Sequence, residues 1–247
     1  MAKPNNFITS PKNIAKNRKD EFVSILLFGE NHGYRMKSYG PISLMPVEGK
    51  TLIEKQVEAI RASFNNFEII LCAGFQIEKI VNFVKDNFAD INFRVVENQV
   101  HYNSNCCESA RLCINNTNNS KVIFCSGGLL IKPEHFNQIN LNKSTIITQQ
   151  EDNPLGFEIG VINNLENLES LSIGIKGQKW TEILYLSNKK MVKALYSVLS
   201  NPEYKNRFMF EAIDKMSFKN SIRIYENTKA PIIKINNVKT LRRITKI

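Results

Sequence analysis

The chain has 247 residues, 43% of them hydrophobic and 23% charged, a make-up that excludes collagen-like, fibrous and disordered classes. A chain this long buries roughly 70% of its unfolded surface, so neither disulfide nor metal is needed to hold it together. The net charge is +10, and the excess is carried by the ends. Residues 1–20 hold five basic side chains and one acidic, residues 201–247 eleven and four, and the segment between them seventeen and eighteen.

Residues 1–20 contain Pro4, Pro11 and no apolar periodicity. They read as a basic flexible arm ahead of one domain spanning 21–247. The arm has no apolar core of the kind a secretory signal needs, and no later segment approaches the roughly 20 apolar residues of a membrane span. A cytoplasmic, non-membrane protein is expected. Five cysteines, at 72, 106, 107, 113 and 125, include no C-x-x-C pair and fall in apolar or helical segments. Buried free thiols are expected rather than a zinc site or a disulfide framework.

In chain order, Phe22–Phe28 is an apolar strand, followed by a glycine-bearing loop from Gly29 to Gly49. Thr51 caps a helix to about Phe64, with Leu52, Ile53, Val57 and Ile60 on one face. A strand follows at Phe67–Cys72, a helix at Gln76–Phe88 and a strand at Ile91–Val96. Ser104 is positioned to cap a helix to Cys113, and Lys121–Cys125 is the fourth strand. This alternation predicts a parallel sheet with helices on both faces. Beyond about residue 140 the pattern becomes short strands at 144–148, 157–162, 171–175 and 182–187. Helices follow near 188–200 and 206–217, then strands at 221–225 and 231–235 and a last helix from about 237. The back half reads as mixed sheet added to the same body. Trp180 and Tyr185, and the stripe of Phe208, Met209 and Phe210, read as packing residues, with sugar stacking the other use of the first two.

In open parallel sheets, ligands sit beyond the C-terminal ends of the strands. The loop after the first strand runs Phe28-Gly-Glu-Asn-His-Gly-Tyr-Arg-Met36 and continues to Lys50. It is neither a Walker A loop nor G-x-G-x-x-G, because its glycines fall at 29, 33, 40 and 49. No G-x-S-x-G or H-E-x-x-H motif is present, so hydrolase readings gain nothing.

The loop resembles the signature of the sugar-nucleotide pyrophosphorylase and cytidylyltransferase superfamily, L-A-A-G-x-G-x-R-M followed by Pro-Lys, Leu and Gly-Lys. Gly33, Arg35, Met36, Pro41, Leu44, Gly49 and Lys50 match without gaps. Ala73-Gly74-Phe75 resembles the family's Gly-Tyr turn, and Asn98–Ser109 resembles a segment of its phosphocholine cytidylyltransferase branch. Val122–Gly128 and Pro231–Leu241 resemble the strand ending in Gly-Asp and the W-x-I-D segment. The resemblance implies a three-layer α/β/α, Rossmann-like fold of the GT-A type with a mostly parallel central sheet. It places Phe28, Gly29, Asn31, Gly33, Tyr34, Arg35, Gly74, Asn105 and Gly127 around a nucleotide or other anion, and Lys50 on the substrate side.

The departures fall on the chemistry. Asn31 stands where the family has the first loop glycine, Ile42 where it has the phosphate-binding lysine, and Gly128 and Asn236 where it has two magnesium-binding aspartates. Isoleucine offers no charge, glycine no ligand, and asparagine is a weaker hard-metal ligand than a carboxylate. The expectation is a nucleotidyltransferase-like protein without catalysis, acting in nucleotide or anion binding or in an assembly, with no cofactor. The alternative is an active enzyme moving a nucleotidyl group from an NTP to a phosphorylated sugar or choline-like acceptor with magnesium. It would need replacements from Glu30, His32, Glu97, Glu151, Asp152, Lys50 or Lys132. A second alternative uses residues 1–20 and 201–247 to contact an acidic protein or nucleic acid.

Overall fold

The computed structural model describes residues 20–29, 36–151 and 158–245. The basic arm, apart from Asp20, and loop residues 30–35 and 152–157 lie outside the described residues.

The first half follows the expected alternation. Strand β1 is Val23–Phe28, and a short hairpin, β2 (Pro46–Val47) and β3 (Lys50–Thr51), leads into helix α1 (Leu52–Ser63). Thr51 and Glu54 close a reciprocal capping box, which satisfies backbone donors that the first turn leaves open. Then come β4 (Phe67–Ala73), α2 (Ile77–Asn87), β5 (Phe93–Glu97), α3 (Cys106–Ile114) and β6 (Val122–Ser126). The cap of α3 is Asn105, not Ser104. The Asn105 side chain accepts from Cys106 N at 2.8 Å, while Ser104 Oγ accepts from Asn98 Nδ2.

The second half holds β7 (Leu129–Leu130), α4 (Pro133–Asn137), β8 (Thr145–Glu151), β9 (Ile159–Asn164), β10 (Asn167–Ile173) and β11 (Gly177–Leu186). Helices α5 (Lys189–Leu199) and α6 (Met209–Ser217) follow, then β12 (Arg223–Glu226), β13 (Ile233–Lys234) and α7 (Val238–Thr245). The strands expected at 171–175 and 182–187 are in fact two longer strands, β10 and β11, meeting near Gly174.

Nine strands form one sheet in the order β5-β4-β1-β6-β11-β8-β12-β10-β9. Strands β5, β4, β1 and β6 are parallel, as expected. The sheet as a whole is mixed, because β11 runs antiparallel to β6 and β8 while β12 runs parallel to β8. Lys179 of β11 lies opposite both Gln149 of β8 and Gly160 of β9, so β11, β8, β12, β10 and β9 close a ring.

Side chains alternate between the faces of β1. Leu26 and Phe28 join the core under α3, α5 and α6, whereas Val23, Ile25 and Leu27 join the core under α1, α2 and α4. Burial on both faces explains why every residue of this strand but Ser24 is apolar. A third, smaller cluster gathers Met36, Ile42, Met45, Leu52, Ile235 and Leu241 at the C-terminal edge of the sheet.

His135, at 1% exposure, ties α4 to the segment before β13. Lys132 N donates to its Nδ1 at 3.0 Å, and Nε2 donates to Ala230 O at 2.7 Å, which fixes a neutral tautomer. Burial holds the imidazole below its ordinary pKa of 6.5. The folded state therefore binds a proton less readily than the unfolded chain. This stability is fully present above pH 6.5 and is lost as pH falls toward the lower folded value. Denaturant unfolding should show a falling midpoint between pH 7 and pH 5, with a shallower slope in His135→Gln. Equal slopes would remove His135 from the pH dependence.

Candidate functional site

The C-terminal ends of β1 and β6 lie side by side, with Phe28 opposite Ser126. Gly29 turns the chain away from the sheet with φ +64°, and a Cβ there would stand 2.9 Å from Cys106 Cβ. Both the conformation and the space call for glycine. The turn after β6 is tied down on three sides. Gly127 N donates to Phe28 O at 3.0 Å, Gln56 Nε2 donates to Gly127 O and Leu129 O, and Ile235 N donates to Gly128 O at 2.8 Å.

A cavity of about 240 Å³ opens here. Phe28, Gly29, Ser126 and Gly128 form one side, with Ile42 and Ile235. The opposite side comes from the ring of strands and from the start of α6: Ile159, Ile173, Trp180 and Phe208 to Phe210. Phe208 and Phe210 stack at 6.2 Å, and Trp180 Nε1 donates to Ile183 O at 3.1 Å. Trp180 thus lines a cavity, while Tyr185 is core, its hydroxyl donating to Leu141 O at 2.7 Å.

Among the described residues two charged side chains line the cavity, Glu182 and Lys234, and they are paired with each other. Glu182 sits in a bulge of β11 at φ +64°, where the strand shifts register between Trp180 and Leu184. A left-handed glutamate costs on the order of 1–3 kcal/mol and is held only by its surroundings. Here the strand bends between its β9-facing half and its β6-facing half. Cys106 contributes a thiol that burial, reinforced by the Glu182 charge, pushes up to about 12. Its sulfur accepts from Met209 N, and it remains protonated at neutral pH, so it is no nucleophile.

The residues named from the sequence divide clearly. Phe28, Gly29, Gly127 and Gly128 meet at the strand ends, and Asn105 caps the helix that carries Cys106 into the cavity. Gly74 follows β4, and a Cβ there would run into the His101 ring. Lys50 is exposed on β3 and paired with Glu58, and it does not line the cavity. Asn31, Gly33, Tyr34 and Arg35, with Glu30, His32 and Asp152, lie outside the described residues. Glu97 ends the outermost strand β5, and Lys132 is an exposed residue at the start of α4.

Ile42 is 2% exposed and belongs to the small apolar cluster. A Cβ on Gly128 would stand 3.2 Å from Ile235 O and 3.6 Å from Ile42 Cγ2. Asn236 Oδ1 accepts from Asn237 Nδ2 at 2.7 Å, and Asn237 Oδ1 in turn accepts from Thr240 N in α7. The three altered positions thus contribute an apolar contact and a capping chain. Among the described residues this donor set does not fit a magnesium ion, which takes carboxylates and water in octahedral geometry.

Two contributors were not anticipated from the sequence, Glu182 and Lys234. The signal for Glu182 was a single acid inside the apolar run Trp180–Leu186. Lys234 belongs to the basic C-terminal segment, part of which therefore folds back onto the cleft, while Lys239, Arg242 and Arg243 are exposed on α7.

No protein-family model matches the chain, and no curated protein matches it. Solved structures do. The CTP:phosphocholine cytidylyltransferase of Streptococcus pneumoniae superposes with a TM-score of 0.76 at 15% identity, covering 91% of this chain and 98% of that one. Its fold is that of the nucleotidyltransferases. The inositol-1-phosphate CTP transferase of T. maritima superposes at 0.71 and 13% identity, covering 92% and 96% of the two chains. A UDP-glucose pyrophosphorylase complexed with UDP-glucose superposes at 0.72 and 11% identity, covering 92% and 97%. The nucleotidyltransferase fold thus accounts for nearly the whole chain, as the first-loop resemblance implied. Among the described residues no helix is long and apolar enough to cross a membrane.

Proposed function

We propose that this protein is a binding protein on the nucleotidyltransferase fold, holding a nucleotide or another anion along the first-strand loop without transferring its nucleotidyl group. The observation that carries the reading is the place a side chain on Gly128 would take, which Ile42 and the Ile235 carbonyl already close in on. Nucleotidyl transfer needs charge neutralised on the reacting phosphate by metal and cation. In the described cleft the one lysine is already paired with the one carboxylate, Lys234 with Glu182. Anion binding asks less, because backbone N–H groups of a loop beside a strand end suffice for it.

The test is a turnover panel built from the structural neighbours: CTP with phosphocholine, CTP with inositol 1-phosphate, and UDP-glucose with pyrophosphate, each with magnesium. Losing one transition-state charge contact costs on the order of 3 kcal/mol, roughly a hundredfold in rate. Turnover should stay near background, while nucleotide binding persists without magnesium. Turnover at about 1 per second or faster, an ordinary enzyme rate, would overturn the reading.

A further inference from the structure

The end of the sheet opposite the cleft presents a different surface, and hydrogen bonds fix what meets there. Ile224 N donates to Glu166 O at 2.8 Å and Ser221 Oγ donates to Asn167 Oδ1 at 2.8 Å, so the β9–β10 turn lies beside the chain leaving α6. Arg223 N donates to Ser144 O at 2.8 Å, and Ser187 N donates to Ser144 Oγ at 3.0 Å, so the starts of β8 and α5 come next. Four neighbouring strands, β10, β12, β8 and β11, each about 4.8 Å from the next, thus bring together Leu165, Phe218, Lys143 and the first turn of α5.

Three features of this end cost the isolated fold stability. Leu165 occupies the turn at φ +55° and is 87% exposed, although glycine or asparagine suits a left-handed turn position and water disfavours a bare leucine. Phe218, just past α6, is 71% exposed, with the exposed Lys215 and Lys219 beside it in sequence. Helix α5 opens on the exposed Lys189 and Lys190, continues to Lys193 and contains no acid, though the N-terminal end of a helix disfavours cations. Lys143 is exposed as well. Of the acids here, Glu166 pairs with Arg223 and Glu21 with Lys121, while Glu169 is exposed two residues along β10. Residues 1–19, which carry five basic side chains and no acid, join the described chain at Asp20, at this same end of β1. Backbone strain and bare apolar side chains in one place point to a contact surface.

We propose that this end of the molecule docks on an anionic lipid surface, with Leu165 and Phe218 entering the interface and the lysines meeting the headgroups. Such a surface answers all three costs at once. The two apolar side chains leave water, and the lysines at the start of α5 gain the anions that the helix end favours. Nucleic acid would use the lysines but leave Leu165 in water, since bases stack on aromatic rings. The contact needs no spanning helix, and it turns the cleft, at the far end of the sheet, toward solution.

Sedimentation of the full chain with vesicles tests this. The vesicles are phosphatidylcholine alone, and phosphatidylcholine with phosphatidylserine at about 2:1. The protein should sediment with the mixed vesicles, bind phosphatidylcholine alone at least about tenfold more weakly, and lose binding as salt is raised. Each lysine at an anionic surface strengthens binding roughly fivefold, so Lys189→Gln with Lys190→Gln should weaken it about tenfold or more. Leu165→Asn should weaken it about tenfold with every charge retained. Thermal unfolding, in which Leu165→Asn should be at least as stable as the parent, separates loss of binding from loss of fold. Single-stranded poly(U) RNA runs in parallel as the competing partner. No sedimentation with the mixed vesicles at low salt would overturn the proposal. So would equal binding to phosphatidylcholine alone, or parent-like binding by Leu165→Asn. Poly(U) binding that depends on Lys189 and Lys190 while vesicle binding does not would also overturn it, making this end a nucleic-acid surface.

Discussion

Replacing Glu68 by alanine should lower the unfolding free energy by about 3 kcal/mol. Glu68 sits on β4 opposite Ser24 of β1, at 5% exposure, near the N-terminal ends of these strands and so at the end of the sheet away from the cleft. Its Oε1 accepts from Ser24 Oγ and from Thr117 Oγ1, each at 2.5 Å, and its Oε2 accepts from Arg94 on β5. One carboxylate therefore ties three parallel strands and the loop entering β6. Removing it leaves two hydroxyls in a dry site without their charged acceptor, and bonds to charged groups are each worth roughly 1.5–3 kcal/mol. The half-exposed Arg94 recovers water, which keeps the loss below the sum. Glu68→Gln keeps an acceptor for the hydroxyls and should cost about half as much. Urea unfolding of the two variants measures both numbers. A loss under about 1 kcal/mol for alanine would mean that the cluster only fills space.

Restoring the family's carboxylate should harm rather than help. Gly128→Asp should destabilise by about 3 kcal/mol or more and confer no magnesium-dependent transfer. The new Cβ meets the Ile235 carbonyl at 3.2 Å and Ile42 Cγ2 at 3.6 Å. The turn cannot yield easily, since Gln56 and the Ile235 N–H hold it. The carboxylate would then stand beside an oxygen and an aliphatic side chain, without a cation. Gly128→Ala isolates the steric part and should cost about 1 kcal/mol. Adding Ile42→Lys to Gly128→Asp supplies a partner charge, and the double variant should lose less than the singles combined, by about 1 kcal/mol. Should Gly128→Asp prove as stable as the parent and bind magnesium, the apolar contact is not closed and the non-catalytic reading loses its support.

The sequence made the first half of the fold readable because its periods are clean. Val23–Phe28 is apolar at every position but Ser24 and Ile77–Asn87 repeats at helical spacing, so strand and helix separate by period alone. The cap at Asn105 was missed because Ser104, Asn105 and the turn before them all carry capping chemistry. Which one caps depends on Asn98 reaching Ser104. The two-residue strand β7 has no period to read, whereas β13 falls within the strand expected at 231–235; Ile235 N reaching Gly128 O across 107 positions makes the two adjacent. The degenerate positions 42, 128 and 236 were visible as residue types, since a missing charge needs no coordinates. What fills their places was not visible, nor was Glu182 turned inward by its bulge. Those facts depend on contacts between chain segments more than fifty residues apart, such as Glu182 with Lys234.

The closure of the strand ring has a bearing on how copies of this protein meet. A nine-stranded sheet ordinarily offers two open edges, and a molecule with two edges can stack without end. Here β9 turns its beginning toward β11 through Gly160, and its far end, Asn163 and Asn164, is exposed polar chain at a hairpin turn. Among the described residues the edge of the nine-stranded sheet left open is β5, where Arg94 and Glu97 are exposed. Two copies joining through β5 would use up the open edge of the nine-stranded sheet in each, so pairing through this sheet ends at a pair.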